Sequence, residues 1–422
     1  MLKGLLARAA TYIFGNGLNS AIPFLLIPIF TRYLSPADMG MVAIFQSTLS
    51  ILTIVVSLFL PAAINVRYFK QESLALPDYI GTGVILSAIA ATLIFTLGLL
   101  FKVQIRSYTD LTFTVFCIAL LCSVFQLYID VELKLAQAKG EALRYTVFQN
   151  SVTVLIMTIS VGLIIGAGIG WEGRVWGQFI AVFLAGSGIF FSLFSKREIS
   201  FRWNSVYAQE ILKFGLPLLP HGISAISMVF LTRLILRDVA DLHEVGLYMV
   251  AAQLAGAITI VASAVNQAYA PWLYKILSGS QSLQLKKKIV IGTYLNFLLI
   301  FTGSIIYFFS LPPFIGMLLG QNYIGTIAYL PWLIAGSALN SMYFLVTNYL
   351  FYHQKTGRLA LATVGSCVLS VVLSLILTPT QGGVGVAQAF MAANGFLFLV
   401  TWILAANVQS MPWIFFGSRN HE

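Results

Sequence analysis

Apolar residues in this chain arrive in long unbroken runs, separated by short stretches in which Lys, Arg, Asp, Glu, Ser, Asn and Gly collect. Crossing the hydrocarbon of a bilayer takes about 20 mostly apolar residues as a helix. On that rule the pattern predicts spans at approximately 5–30, 39–63, 79–101, 111–135, 144–168 and 174–194. Six more follow at approximately 209–236, 245–270, 288–311, 324–350, 358–378 and 383–406. A membrane β-barrel would instead alternate apolar and polar residues over segments of about ten. The expected fold is therefore an all-α membrane protein of about 12 transmembrane helices.

The connection after the sixth span carries Lys196, Arg197, Glu198 and Arg202 and divides the chain. This predicts an N-terminal six-helix bundle over 1–194, a linker over 195–208, a C-terminal six-helix bundle over 209–406 and a tail over 407–422. All connections are too short to hold an extramembrane catalytic domain.

Composition sharpens this picture. Only 9% of the 422 residues are charged and 59% are hydrophobic, whereas soluble domains carry about 25% charged residues. A soluble enzyme is excluded. The net charge of +10 would suit a nucleic-acid partner if it were concentrated, but the basic residues sit in short clusters between apolar runs, so none is expected. Of the 24 Lys and Arg residues, 18 fall on the N-terminal side of the twelve-span topology. Arg32, Lys102, Arg106, Arg174, Arg233 and Arg237 fall on the other. Basic connections stay inside, so both termini are expected in the cytoplasm. Lys3 and Arg8 precede an apolar run broken by Asn16, Asn19, Pro23 and Pro28, with no small-residue cleavage site, which reads as a retained first helix. Cys117, Cys122 and Cys367 have neither metal-site spacing nor His partners.

The two halves echo each other. Phe14-Gly15 recurs as Phe214-Gly215, Thr31-Arg32 as Thr232-Arg233, and Asp38-Met39-Gly40 as Glu244-Val245-Gly246. Six spans per repeat start both repeats on the same side, which implies a pseudo-two-fold along the membrane normal. Transporters built from repeats hold substrate between them and alternate access by rocking.

Polar residues inside the spans mark the candidate path. Asn16 and Asn19 share a face of the first helix with Pro23, and His221 holds a corresponding place in the seventh. Gln253 and Asn266 are further cavity candidates, and most other spans carry at least one amide. Such amides suit sugar hydroxyls, or equally hydrogen-bond helix to helix. Arg32, Arg233 and Arg67 are candidates for holding a diphosphate, because a guanidinium fork matches phosphate oxygens; snorkelling to headgroups is the other reading. Asp130, Glu132 and Lys134 read as a solvated helix end, so no carboxylate is expected at mid-span. Pro23, Pro28, Pro217 and Pro220 break the first helix of each repeat and are hinge candidates.

The stretch Leu212-Lys213-Phe214-Gly215-Leu216-Pro217-Leu218-Leu219-Pro220-His221, with Glu244-Val245-Gly246-Leu247-Tyr248 and Ala270-Pro271-Trp272-Leu273-Tyr274, resembles the central signature of the bacterial Wzx-type flippases. Gly173-Arg174-Val175-Trp176-Gly177-Gln178 and the segment from Pro28 to Gly40 are similar to theirs as well. These are polysaccharide transporters of the multidrug/oligosaccharidyl-lipid/polysaccharide superfamily. The resemblance implies a V-shaped pair of six-helix bundles in the bacterial inner membrane. It implies transfer of undecaprenyl-diphosphate-linked O-antigen or similar repeat units to the periplasmic leaflet, in lipopolysaccharide or other polysaccharide biosynthesis, alongside a polysaccharide polymerase and a chain-length regulator. Many members carry an Asp before the arginine of helix seven, where this chain has Thr232. The alternative is a multidrug or cation antiporter of the same fold. No nucleotide-binding motif is present and no cofactor is expected, which leaves a proton or sodium gradient, or product removal, as the driving force.

Overall fold

A computed structural model describes residues 2–69, 76–279, 282–353 and 355–413. Contacts divide the chain into two compact units, Met1–Met249 and Val250–Glu422.

The first unit begins with α1 (Leu2–Leu25) and α2 (Ile27–Tyr33), two pieces of one apolar run. Pro23 and Pro28 cannot donate to the helical ladder, and the run breaks at Leu26 between them. Ser35 then starts α3 (Pro36–Ser57) with a capping box in which its side chain accepts from the Asp38 amide while the Asp38 carboxylate accepts from the Ser35 amide. Leu58 and Phe59 end that helix with positive φ (48° and 57°), so that α4 (Leu60–Phe69) sets off in a new direction. Next come α5 (Leu76–Leu100), the short α6 (Lys102–Thr109), α7 (Phe113–Ala138) and α8 (Ala142–Val161), which loosens into a π turn over Gly162–Gly166. After α9 (Trp171–Ser195), the seventh expected span is α10 (Ser205–Gly215), a 3₁₀ turn over Leu216–Leu218 and α11 (Leu219–Val239). The turn contains Pro217, and Pro220 lies in the first turn of α11. The first and seventh expected spans are thus both interrupted at proline.

In this unit α7 packs against α3, α4 and α9, α8 against α1 and α9, and α11 against α3. Phe45, Ile44, Leu111, Ala119 and Val175 form one core, and Leu60, Ile64, Tyr79, Val131 and Ile211 another. Buried hydroxyls such as Thr31 and Ser47 bond to the carbonyl one turn back, which satisfies them where water is scarce.

α12 (Leu242–Leu277) runs from the first unit into the second. The second unit continues with α13 (Leu283–Ser310), α14 (Pro312–Leu319), a 3₁₀ stretch over Gln321–Ala328, and α15 (Leu330–Tyr352). It closes with α16 (Thr356–Gln381) and α17 (Gly383–Val408). Here α17 packs on α15 and α16, and an aromatic cluster of Tyr294, Phe297, Phe398, Trp402 and Trp413 joins the middle of α13 to the C-terminal half of α17.

Among the described residues, 11 helices are long and apolar enough to cross a membrane. The one expected span outside these eleven, the seventh, is the proline-broken pair α10 and α11. Large apolar side chains point outward along these helices, Leu93, Leu298, Leu299 and Leu361 among them, as a lipid-facing surface requires.

Candidate functional site

The arginines expected to meet phosphate have separate fates. Arg67 is buried, its Nη1 bonded to Glu210 Oε2 at 2.6 Å across α4 and α10. The Tyr79 and Tyr207 rings both lie 4.6 Å from its guanidinium carbon. Such a cation between two π faces and a carboxylate is already engaged, and the arrangement ties three helices together. Arg233, on α11, reaches α3: its Nη1 donates to the Ala43 carbonyl at 2.7 Å and to Ser47 Oγ, while its Nε is buried and has no hydrogen-bond partner. Arg32 stands exposed in the last turn of α2. Arg174, part of the resembling Gly173–Gln178 segment but not among the expected phosphate ligands, donates to Ser160 Oγ at 3.1 Å with its guanidinium carbon 5.7 Å from the ring of Phe30, two residues before Arg32.

Beyond Arg233, one turn on, Arg237 grips Asp110 with Nε and Nη2, both at 2.6 Å, and its Nη1 meets Asp238 at 2.6 Å. A bidentate fork of this kind fixes orientation as well as charge. Beside it the first turns of α3 and α12 cross at Gly40 and Gly246, close enough that each glycine faces backbone of the other helix.

The amides are largely spoken for by neighbouring helices. Asn19 Oδ1 accepts from Thr153, Asn266 Oδ1 accepts from Asn348 Nδ2 at 2.7 Å, and Asn340 pairs with Asn394 at 2.8 Å. Asn150 donates to the Gly15 carbonyl at 3.1 Å. These contacts are the interhelical bonding that amides supply in membranes. Asn16 is half-buried, its carbonyl accepting from Ser20 Oγ at 3.0 Å, and Gln253 is half-buried on α12. His221 and Pro220 have helical backbone in α11; their side chains lie outside what the structure describes.

The acidic end of α7 differs from expectation. Glu132 is buried and paired with Arg144 of α8. Asp130 is half-buried, accepts from Gln126 Nε2 at 2.9 Å, and lines an interior cavity of about 360 Å³ with Ser50, Thr53, Gln178 and Cys122. A solvated helix end is therefore the wrong description of both carboxylates. The signal was available: Cys122, Gln126 and Asp130 recur every four residues, so they share one helix face. In the second unit, a larger and more apolar cavity of about 450 Å³ lies among α12, α13 and α15, with Asn296, Tyr307 and Ser341 on its wall. No group of three or more His, Cys, Asp or Glu residues able to hold a metal ion occurs among the described residues.

With this geometry in view, known proteins supply a comparison. The model of the family described as "Polysaccharide biosynthesis protein" matches residues 5–277. "Lsg locus putative protein 1" of Haemophilus influenzae is 28% identical over 382 residues, covering 88% of this chain and 90% of that protein. An "Uncharacterized membrane protein" of the same organism is 26% identical over 379 residues, covering 86% and 88%. Among solved structures, the "Inward-facing conformation of a multidrug resistance MATE family transporter of the MOP superfamily" superposes with a TM-score of 0.71 at 15% identity, over 94% of each chain. The outward-facing conformation of a MATE family transporter of that superfamily gives 0.60 at 16% identity, over 96% of this chain and 95% of the other. At such identities the likeness is one of fold.

Proposed function

The chain belongs to the polysaccharide biosynthesis protein family, and from that premise we propose that it flips a lipid-diphosphate-linked oligosaccharide between leaflets by alternating access. The chain is a membrane transporter with the fold of the MOP superfamily and not an enzyme. The finer reading adds the substrate: an undecaprenyl-diphosphate-linked repeat unit of O-antigen or a related polysaccharide, carried from the cytoplasmic to the periplasmic leaflet of a bacterial inner membrane with both termini inside. A polysaccharide polymerase and a chain-length regulator would use the product.

The single observation that carries this reading is the family match over residues 5–277, nearly all of the first unit and the start of the second. The chemistry agrees with it. A lipid diphosphate needs cationic donors for its head and an apolar route for its tail. Arg233 offers a desolvated guanidinium with Nε still unbonded, and Arg32 an exposed one. Both follow a threonine in the repeated Thr-Arg pair, and the proline breaks at Pro23, Pro28, Pro217 and Pro220 are the proposed hinges of the helices that carry them. Arg67 stays with Glu210 and the two tyrosines, a fastening rather than a substrate contact. Asn16, His221 and Gln253 remain the proposed sugar-binding set, while Asn19 and Asn266 are already bonded to Thr153 and Asn348.

The test is reconstitution. Proteoliposomes containing the full chain and an undecaprenyl-diphosphate oligosaccharide should expose the sugar on the far leaflet to an impermeant glycosidase, and protein-free vesicles should not. Equal rates in both, together with extrusion of a cationic drug by the protein, would favour the antiporter of the same fold.

A further inference from the structure

The short helix α6 carries two cations on the side of the membrane to which the charge count assigns few. Of the basic residues on that side, Arg32, Arg174, Arg233 and Arg237 all interact with other groups of the chain. Lys102 and Arg106 are exposed and form no ion pair or hydrogen bond among the described residues. They stand one turn apart at i and i+4, so they share a face of the helix. Ile105 packs against the core that contains Phe45, Leu111 and Ala119, which fixes α6 to the first unit while its cations stay outside.

The charged face borders a pocket of about 610 Å³, lined by Lys102, Val103, Arg106 and Ser107 of α6, by Asp110, and by Thr112 and Phe113 at the start of α7. Its one carboxylate is already engaged, because both Asp110 oxygens accept from Arg237. Ser107 gives its hydroxyl proton to the Gln104 carbonyl at 3.0 Å. Thr112 accepts from the Val115 amide with its side-chain oxygen and keeps its own proton to donate. The donors left for a ligand are therefore the Lys102 ammonium, the Arg106 guanidinium and the Thr112 hydroxyl. Asp110 and Asp238, bridged by Arg237, together contribute a single negative charge against the two cations of α6. The pocket keeps one net positive charge, which complements a phosphodiester better than a more highly charged diphosphate.

Apolar surface adjoins these donors. Leu93, Leu97 and Leu100 recur at helical spacing and are exposed, so a stripe runs along α5 to the start of α6, where Phe101 and Val103 are exposed as well. A free anion gains nothing from such a stripe. A lipid lays its acyl chains on it while its headgroup meets the cations.

We propose that Lys102 and Arg106, with Thr112, hold the phosphodiester headgroup of an anionic phospholipid whose chains lie along Leu93, Leu97 and Leu100. The lipid braces α6 where it packs between α5 and α7. It also neutralises the charge that the pocket turns toward the membrane surface. Binding requires no transport, so the site stands apart from the flippase reading.

The experiment uses the full chain without Cys117, Cys122 and Cys367, carrying a fluorophore on Gln104→Cys, in nanodiscs of phosphatidylcholine. Gln104 is exposed on α6 and does not line the pocket. Quenching is followed as phosphatidylglycerol with brominated chains is added, and again with brominated phosphatidylcholine. Phosphatidylglycerol should saturate at a lower mole fraction than phosphatidylcholine. Lys102→Gln and Arg106→Gln should each weaken that preference about fivefold, and the double variant should abolish it at an unchanged unfolding temperature. Arg106→Lys should retain it, and Lys287→Gln, which removes an exposed charge far along the chain, should leave it unaltered. Equal quenching by the two lipids in the native chain overturns the site, as does a folded double variant that still prefers phosphatidylglycerol. Displacement of the brominated lipid by inorganic phosphate, or by undecaprenyl diphosphate at a lower mole fraction than phosphatidylglycerol, would overturn the phospholipid as occupant.

Discussion

Gly40 and Gly246 cross reciprocally at the first turns of α3 and α12. A Cβ on Gly40 would lie 2.2 Å from the Leu242 carbonyl oxygen, and one on Gly246 would lie 1.7 Å from that of Pro36. Pro36 and Leu242 each stand four residues before their own glycine, so the contact has the same register on both sides. Gly40 and Gly246 belong to the recurring Asp/Glu-x-Gly segments, so the contact joins the two places that the sequence echo pairs.

Backbone oxygens cannot swing aside as a side-chain tip can, so even Ala at either glycine must push the two helices apart. Gly246→Ala and Gly40→Ala are each expected to abolish flipping in the reconstituted assay. They are also expected to raise the reactivity of a cysteine placed at the buried Ser47 toward an impermeant thiol reagent. Native flipping rates in both variants would mean that this crossing need not close during transport.

Arg233 and Arg67 should part company on mutation. Arg233→Ala is expected to abolish flipping at normal protein level, with Arg233→Lys only partly active, because an ammonium cannot reproduce the fork. Arg67→Ala removes a cation held by two rings and a carboxylate and should cost about 2 kcal/mol, seen as a lower unfolding temperature. A stable, inactive Arg67→Ala variant alongside an active Arg233→Ala variant would reverse the assignment.

The Asp110–Arg237 fork is open to a charge-swap test. Being partly exposed, the pair contributes about 1 kcal/mol or less to stability, so its loss should leave folding intact. If it holds α11 against the start of α7 during one phase of the cycle, Asp110→Arg and Arg237→Asp should each alter the flipping rate. The double swap should return it toward the native value. Equal defects in single and double variants would show that position, not pairing, matters.

How far the chain could be read before folding differs by feature. The spans were legible because a bilayer demands one length and one composition, and all twelve expected segments correspond to helical segments in the structure. The breaks at Pro23–Pro28 and Pro217–Pro220 were equally legible, since proline acts locally. The glycines of the repeat were visible as letters, but their partners, Leu242 and Pro36, were not. Close approach is a property of two helices, and the repeat offset alone does not say that they touch. Arg67 looked like a phosphate ligand because Glu210 and Tyr207 are far from it in sequence, and only folding brings them, with Tyr79, to it. Asp130 was misjudged for a related reason: counting residues from the end of a span ignores which face the side chain takes.

The orientation argument makes the last prediction. Lys and Arg are retained on the cytoplasmic side of short connections, and their 18 to 6 division assigns the turns around Ser107 and Ala167 to the outside and those around Ser195 and Ser282 to the inside. All four residues are exposed in the structure, so cysteines there will report access rather than burial. Ala167 is the better choice in its turn, because Gly168 and Gly170 hold φ near +66° and +57°, where a side chain brings strain. In a chain lacking Cys117, Cys122 and Cys367, an impermeant thiol reagent added to intact cells should label positions 107 and 167 and spare 195 and 282 until the membrane is opened. The proposed direction of flipping depends on this result. Arg32 and Arg233 would lie toward the outer leaflet only if the charge count has the orientation right, and reversed labelling would put them at the cytoplasmic mouth, where they would receive the diphosphate rather than release it.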